Sequence, residues 1–349
     1  MEKNTIIAAD LEEIIASDLP WDNLKDKTIL ITGANGLLAS YLTKSLLLKA
    51  KKNNSNRINV IGLVRNLKKA KLVFKEYLDY PFFKLLDNSI LSPINIPDKV
   101  DFIIHAASQA SPKYYGTDPV GTAAPNTIGT YYLLKLAIEK KAEKFLFFST
   151  SEVYGFFDEK SEITESDIGK VDPLNIRSCY AESKRMGENF CILFSQQFGL
   201  NVSIVRPFHT YGPGLEFDDG RVFADFVANI VKGENIKMNS DGSAIRCFCY
   251  IKDATLGFLT VLLKGIDKEA YNIANPIEEI TIKELANTLV TLFPERNLKA
   301  IFSSSEKTGY IASNFKKLTP NIDKIKDLGW EPKTSIAEGF KKTILSYEL

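Results

Sequence analysis

Short apolar runs alternate with longer segments of helical leucine spacing over the first 205 residues of this 349-residue chain. The runs are continuously apolar, which is typical of parallel strands that are covered on both faces. The segments between them, such as LLASYLTKSLLLKAKK and NTIGTYYLLKLAIEKK, predict crossover helices. The pattern therefore predicts an α/β fold with a Rossmann-type doubly wound parallel sheet. Its expected strands lie at residues 27–33, 59–65, 101–108, 144–151 and 201–207.

This rhythm ends after Pro207, where a Gly/Pro/Asp-rich stretch, YGPGLEFDDGR, is followed by amphipathic helices and short strand-like pieces. The change predicts a smaller C-terminal α/β lobe. The large-sheet domain is expected to comprise residues 27–205 and about 245–270. The smaller lobe is expected to comprise residues 206–244 and 271–349. Residues 1–26 form an N-terminal extension, with a helix expected from Asn4 to Ser17 that packs on the body.

Composition narrows the classes of function. The 44 basic and 43 acidic residues leave a net charge of +1, so no global field attracts nucleic acid or an anionic membrane. Four cysteines without a C-x-x-C pair, and only two histidines, favour reduced thiols in a cytoplasmic protein over a zinc or other metal site. The N-terminus does not resemble a secretory signal, and no run approaches the roughly 18 to 20 apolar residues of a membrane span.

The segment TGANGLLAS follows the first predicted strand directly, with Gly33, Gly36 and Ala39 at three-residue steps. Glycines at such a turn let the backbone approach a pyrophosphate, whose charge then lies at the N-terminus of the next helix. The position of this turn, after the first strand of a βαβ series, favours dinucleotide binding. A tight strand-to-helix turn without a ligand is the alternative interpretation.

The second strand ends in Arg65 rather than in the acid that usually holds the adenosine ribose. An arginine there can pair with a 2′-phosphate, so NADP is slightly favoured and NAD is not excluded. A solvated basic start to a helix is the alternative. Asp87, after the strand-like FFKLL, is a candidate for the adenine or else a helix cap.

Tyr180 and Lys184 lie four residues apart in SCYAESKRMGE and therefore share one helix face. A buried ammonium beside a phenol favours the phenolate, so the pKa of Tyr180 is expected below its usual value of about 10. Tyr180 could then act as a base. An ordinary helical pair is the alternative when this motif is taken alone.

These features together resemble the extended branch of the short-chain dehydrogenase/reductase superfamily, which modifies nucleotide-activated sugars. The motifs that carry the resemblance follow one another in the family's order: STSEVYG, IRSCYAESKRMGE, RPFHTYGPG, DDGRV and SAIRCFCYIKD. The most similar pattern is that of the UDP-glucuronate decarboxylase (UDP-xylose synthase) group. The resemblance implies a dinucleotide-binding large domain, a nucleotide-sugar-binding lobe and a homodimer formed through the helices around 126–140 and 180–198.

The resemblance also implies roles for individual residues. Thr150, Tyr180 and Lys184 would oxidise C4 of the sugar. Glu152 would move a proton at C5, since residues 150 and 152 are expected to project from the same side of the strand end; a carboxylate that caps the following turn is the alternative. The expected dinucleotide contacts are Gly33, Asn35, Gly36, Leu37, Arg65, Asp87, Ala107, Tyr180 and Lys184.

The substrate contacts that the resemblance implies are Ser151, His209, Arg221 and Arg246. An arginine fork suits either a diphosphate or a carboxylate. His209 replaces the family's usual asparagine, and it is either a substrate contact or a structural residue that caps its loop. Ser151 replaces the aspartate of the dTDP-glucose dehydratases, which favours decarboxylation or a dehydration of the GDP-mannose type.

The sequence thus predicts an enzyme that oxidises C4 of a nucleotide sugar and then acts at C5, with UDP-glucuronate decarboxylation as the first hypothesis. A 4,6-dehydratase, a 4-epimerase or an NADPH-dependent 4-ketoreductase is the alternative among enzymes. A non-catalytic nucleotide-binding regulator is the alternative of another class, disfavoured because Thr150, Tyr180 and Lys184 are all present.

Overall fold

The computed structural model describes residues 4–52, 57–158, 160, 162–238, 240–302 and 317–348. The first three residues of the expected N-terminal extension and residues 303–316 of the expected lobe lie outside these ranges. The strands are β1 Thr28–Thr32, β2 Asn59–Val64, β3 Phe83–Asp87, β4 Phe102–His105, β5 Lys144–Phe148, β6 Glu162–Ile163, β7 Val202–Pro207, β8 His209–Tyr211, β9 Ile236–Met238, β10 Ile245–Tyr250, β11 Glu269–Ile273, β12 Glu279–Thr281, β13 Ala300–Phe302 and β14 Thr319–Pro320. The helices are α1 Thr5–Ile15, α2 Leu37–Lys52, α3 Leu67–Val73, α4 Pro119–Ala124, α5 Thr130–Lys140, α6 Cys179–Phe198, α7 Val222–Lys232, α8 Ile251–Lys264, α9 Ile282–Thr291, α10 Asp323–Lys326 and α11 Ile336–Leu345.

Seven parallel strands form the main sheet in the order β11-β7-β5-β4-β1-β2-β3. The order reverses at β1, which is the arrangement of a doubly wound fold. Neighbouring residues of β1 enter different cores: Ile29 and Ile31 pack with Leu42 of α2, and Leu30 packs with Leu133 of α5. Burial on both faces explains why the strands read as continuous apolar runs. The predicted fold class is confirmed.

A smaller three-stranded sheet, β12-β10-β8, lies beside the main sheet and carries residues from the second half of the chain. Residues 245–270, which the sequence assigns to the large domain, are shared between the two sheets. β10 pairs with β8 and β12 in the small sheet, whereas α8 packs against α2 and β7 of the large domain. β11 then completes the edge of the large sheet beside β7.

The N-terminal helix α1 connects the large domain to the smaller lobe. Asp10 on this helix is fully buried and accepts hydrogen bonds from the hydroxyls of Tyr41 on α2, at 3.2 Å, and Tyr250 on β10, at 2.6 Å. Lys342 on α11 lies 3.7 Å from the same carboxylate. Asn4 caps α1 and donates to the backbone carbonyl of Ser346 at 2.7 Å. The N-terminal segment is therefore an integral part of the fold.

Replacing Asp10 with alanine is expected to lower the free energy of unfolding by about 2–3 kcal/mol, because two buried hydroxyls lose their acceptor. Denaturant unfolding measures the change. Glu12→Gln on the same helix is the control, since it removes only a solvent-exposed ion pair with Lys52, worth about 0–1 kcal/mol. Equal losses in the two variants would contradict a structural role for the buried Asp10 cluster.

Within the described ranges, no helix is both long and apolar enough to cross a membrane. The same part of the chain holds no cluster of three or more His, Cys, Asp or Glu side chains that could bind a metal ion.

Candidate functional site

A cavity of about 680 Å³ opens at the carboxyl ends of the main strands, where the sheet meets the smaller lobe. Ligands of open α/β sheets bind at this edge, where the strand order reverses. The cavity brings together eleven of the fifteen residues expected at the site: Gly33, Asn35, Gly36, Leu37, Arg65, Thr150, Ser151, Tyr180, Lys184, His209 and Arg221. Asp87, Ala107, Glu152 and Arg246 are not among its lining residues.

The turn after β1 has the geometry that a pyrophosphate requires. Gly33 has φ +64°, and a Cβ at this position would lie 2.7 Å from the Cα of Ala107, so only glycine fits. Ala107 therefore supports the turn from behind, while its neighbours Ala106 and Ser108 line the cavity. α2 begins at Leu37 on the cavity wall, and its first amides are free of intrahelical partners. These residues fit a bound dinucleotide.

Beyond this turn the cavity wall is cationic. Arg65 at the end of β2 is exposed and lines the cavity together with Lys69 of α3, whose ammonium is paired with Glu216. Asp87 pairs in register with Val64 at the end of β3 and is exposed outside the lining residues. The adenine contact of Asp87 stays a prediction.

The expected catalytic residues converge on one wall of the cavity. Thr150 follows β5, and Tyr180 and Lys184 lie one turn apart on α6; their exposed fractions are 8%, 6% and 1%. The ammonium of Lys184 donates to the carbonyl of Phe148 at 2.5 Å, and its Nζ lies 5.9 Å from the centre of the Tyr180 ring. The hydroxyl of Thr150 faces that of Tyr180. The three side chains can therefore act on one substrate oxygen.

The expected low pKa of Tyr180 is wrong for this structure. Burial raises the pKa of Tyr180 to about 12, although the Thr150 hydroxyl and the charge of Arg221 lower it. Burial also lowers the pKa of Lys184 to about 7, so its ammonium is only partly populated at neutral pH. Desolvation of both groups outweighs the expected effect of a neighbouring ammonium on the phenol. Tyr180 is thus a neutral phenol near neutral pH.

Glu152 lies beside this wall, but not for the reason expected from the sequence. β5 ends at Phe148, and residues Ser151–Tyr154 form a 3₁₀ turn, so residues 150 and 152 do not alternate along a strand. The side chain of Thr150 caps this turn by accepting from the amide of Glu152 at 3.2 Å. The carboxylate of Glu152 is held by both terminal nitrogens of Arg177, at 3.0 and 3.1 Å. Glu152 therefore does not cap the turn itself.

Two arginines and a histidine also lie at or near the site. His209 lines the cavity, and burial lowers its pKa to about 3, helped by the charges of Arg246 and Arg221. It is therefore a neutral hydrogen-bonding group. Arg221 lines the cavity and makes a fork with Asp219. Arg246 on β10 donates to the carbonyl of Ile245 at 2.8 Å, and its charge reaches His209.

Sequence reasoning did not single out two further residues at this site. Tyr115 is 2% exposed and stacks on Tyr180, with ring centroids 5.3 Å apart and planes at 19°. The guanidinium of Arg177 lies 5.4 Å from the centre of the Tyr115 ring. Arg177 lies three residues before Tyr180 in the sequence, and this short separation is the sequence feature that could have indicated a place at the site.

The chain matches a model of the NAD dependent epimerase/dehydratase family over residues 29–274. UDP-glucuronic acid decarboxylase 6 of Arabidopsis thaliana is 36% identical over 313 residues, which cover 89% of this chain and 86% of the relative. UDP-glucuronic acid decarboxylase 1 of Danio rerio is 33% identical over 319 residues, 91% of this chain and 72% of the relative. The resemblance found in the sequence is confirmed.

Among solved structures, UDP-glucuronic acid 4-epimerase from Bacillus cereus, in complex with UDP-glucuronic acid and NAD, superimposes with a TM-score of 0.77. The two chains are 24% identical, and the superposition covers 92% of this chain and 99% of the epimerase. At this identity the likeness shows the fold alone.

Proposed function

Because the chain belongs to the NAD dependent epimerase/dehydratase family, we propose that it oxidises C4 of UDP-glucuronate and then decarboxylates the sugar. The observation that carries the proposal is the wall formed by Thr150, Tyr180 and Lys184, with the carboxylate of Glu152 beside it. Similarity to decarboxylases over about nine-tenths of the chain supports the choice of substrate.

The first step takes place at the C4 hydroxyl of the sugar. The deprotonated form of Tyr180 takes the hydroxyl proton, and Thr150 donates a hydrogen bond to the same oxygen. When bound, the dinucleotide would supply a positive charge, an acceptor for the C4 hydride and, later, the source of the hydride for C4. Lys184 adds a cation below the Tyr180 ring when it is protonated. Removal of the C4 hydrogen leaves a ketone.

The second step takes place at C5. The C4 ketone is β to the C6 carboxylate, so CO₂ can leave while the electron pair of the C5–C6 bond becomes part of an enolate. C5 must then gain one proton, which gives a UDP-4-keto-pentose. Return of a hydride to C4, with the proton that Tyr180 took from the hydroxyl, then gives the UDP-pentose. Glu152 is the group we assign to this proton transfer. Arg246 and Arg221 are the cations that can hold the diphosphate or the sugar carboxylate.

One observation favours a second candidate, an NADPH-dependent 4-ketoreductase. Arg65 offers a cation to a 2′-phosphate, and a reductase must exchange its cofactor at each turnover. A reductase that acts on a 4-keto sugar would use Tyr180 as an acid and would not need Glu152.

A panel of nucleotide sugars, incubated with the chain and with NAD or NADPH, separates these reactions when the products are resolved by chromatography and identified by mass spectrometry. The proposal expects loss of CO₂ from UDP-glucuronate. A gain of two hydrogens by a 4-keto sugar, or loss of water from a hexose, would replace it with reduction or dehydration. A UDP-glucuronate of altered configuration and unchanged mass would indicate epimerisation.

The cofactor itself is NAD or NADP, and we propose a preference for NADP. Its support is the pair of cations at the end of β2 and on α3, where the family more often has an acid that holds the ribose. The pairing of Lys69 with Glu216 leaves Arg65 as the main candidate for the phosphate.

Replacing Arg65 with alanine is expected to weaken NADP binding about tenfold or more and to leave NAD binding within about twofold, because the lost fork contacts only the 2′-phosphate. Calorimetric titration of both dinucleotides measures the change. Lys68→Ala is the matched control, since Lys68 is equally exposed but does not line the cavity. Equal weakening of both dinucleotides would overturn the proposed preference.

We also propose that the chain forms a homodimer in the cytoplasm. Large apolar side chains are exposed on and next to α5 and α6, the helices that the family resemblance implicates: Ile128, Tyr131, Met186, Leu193 and Phe198. The four cysteines are free thiols, which suits a reducing compartment.

A further inference from the structure

The carboxylate assigned to the C5 step is bound on both of its oxygens by one arginine. Arg177 Nη1 donates to Glu152 Oε2 at 3.0 Å, and Nη2 donates to Oε1 at 3.1 Å. The two side chains are only 18% and 26% exposed. A two-point contact of this kind fixes the direction of a carboxylate as well as its charge, which a single-point contact cannot do.

Arg177 is itself held in place by local structure. It lies in the 3₁₀ turn Ile176–Ser178 that leads into α6, and its amide donates to the side chain of Asn175 at 2.9 Å. The turn therefore connects the fork to the helix that carries Tyr180. On its other side the guanidinium lies over Tyr115, the ring that stacks on Tyr180.

The charges of the pair also reach the two stacked tyrosines. The negative charge of Glu152 raises the pKa of both Tyr115 and Tyr180, while the positive charge of Arg177 lowers that of Tyr115. The carboxylate follows directly after Thr150 and Ser151, which both line the cavity. It does not line the cavity in the observed arrangement, so its exact direction decides whether it reaches C5.

We propose that Arg177 is a positioning residue that orients Glu152 for proton transfer at C5, while Thr150, Tyr180 and Lys184 act at C4 without it. This inference rests on the proposed function and deepens it. Arg177 acts through Glu152, so its removal should affect the second step of the reaction and not the first.

A double-mutant cycle tests this dependence. Arg177→Gln is expected to slow steady-state CO₂ release from UDP-glucuronate by about 10- to 100-fold, because each turnover waits for C5 protonation and a misplaced catalytic group loses that much rate. In a protein that already carries Glu152→Gln, Arg177→Gln should change the rate of CO₂ release by less than about twofold, since no carboxylate remains to be oriented. Equal effects in the two backgrounds would overturn the proposal.

Two further measurements distinguish positioning from a general structural role. Formation of reduced cofactor in a single turnover should stay within about threefold of wild type in Arg177→Gln, because C4 oxidation does not use the pair. Arg177→Lys, which keeps the charge but not the fork, should recover only part of the rate of CO₂ release. Complete recovery with lysine, or an equal loss of cofactor reduction, would contradict orientation by the fork.

Lys170→Gln is the matched control for loss of a cation. Lys170 is paired with Asp158 at 2.7 Å in a nearby loop, and both side chains are mostly exposed. The substitution should therefore leave all rates unchanged.

A crystal structure of Arg177→Gln provides a readout that needs no substrate. Glu152 should change its rotamer there; an unmoved carboxylate would overturn the proposal, whichever reaction the chain performs. A wild-type chain that releases no CO₂ would contradict the proposed function alone.

Discussion

Replacing Tyr180 with phenylalanine is expected to lower turnover of UDP-glucuronate by about 10³-fold, within the range that a positioned acid or base contributes. The substitution removes the hydroxyl that takes the C4 proton and keeps the ring that stacks on Tyr115. Dinucleotide affinity should therefore change little. The rate of cofactor reduction, followed by the absorbance of the reduced nicotinamide, measures the effect directly on the first step.

The pH dependence of the wild-type protein also tests the role of Tyr180 as the base. The deprotonated phenol is the base, and burial holds its pKa above neutrality, so C4 oxidation should accelerate as pH rises from neutral, with a slope reduced by the loss of the Lys184 charge over the same range. Tyr80→Phe is the control variant, since Tyr80 lies next to β3, away from the cavity lining. Retention of most turnover by Tyr180→Phe would remove Tyr180 from the mechanism.

Replacing Glu152 with glutamine is expected to separate the two chemical steps. Steady-state CO₂ release should fall by about 10²-fold, because each turnover ends only after C5 has been protonated and glutamine cannot supply that proton. Cofactor reduction should persist, so reduced dinucleotide and a 4-keto sugar should accumulate. Stopped reactions analysed by mass spectrometry, together with nicotinamide absorbance, measure both quantities in one experiment.

The control for this substitution is Glu139→Gln, an exposed carboxylate on α5 that should leave both steps unchanged. Unchanged CO₂ release in Glu152→Gln would mean that this carboxylate only anchors Arg177. Loss of cofactor reduction together with CO₂ release would instead place Glu152 in the first step.

The parts of the fold that the sequence predicted are those in which local pattern and tertiary burial agree. Phe145–Phe148 reads as a strand because both faces of β5 are covered, and the β1 turn is recognisable because only glycine fits at position 33. Helical spacing places Tyr180 and Lys184 on one face of α6, and their expected roles come from the family resemblance. Each of these features depends on residues that are close in the chain.

The parts that the sequence could not predict depend on contacts between distant segments. Nothing near Glu152 indicates that its carboxylate meets Arg177, which lies 25 residues further along the chain. The direction of the Tyr180 pKa depends on how completely the fold buries the hydroxyl, and burial outweighed the expected charge effect. The sequence places β10 in the large domain, whereas the strand pairs with β8 and β12 in the small sheet, because an apolar run does not reveal which sheet it joins.

The central claim is that the chain removes the C6 carbon of UDP-glucuronate after oxidising C4. Incubation of the chain and NAD or NADP with UDP-glucuronate that carries an isotopic label at C6 tests it most directly. The account predicts labelled CO₂ and an unlabelled UDP-pentose in equal amounts. Retention of the label in a nucleotide sugar, whether its mass is unchanged or reduced by water, would contradict it.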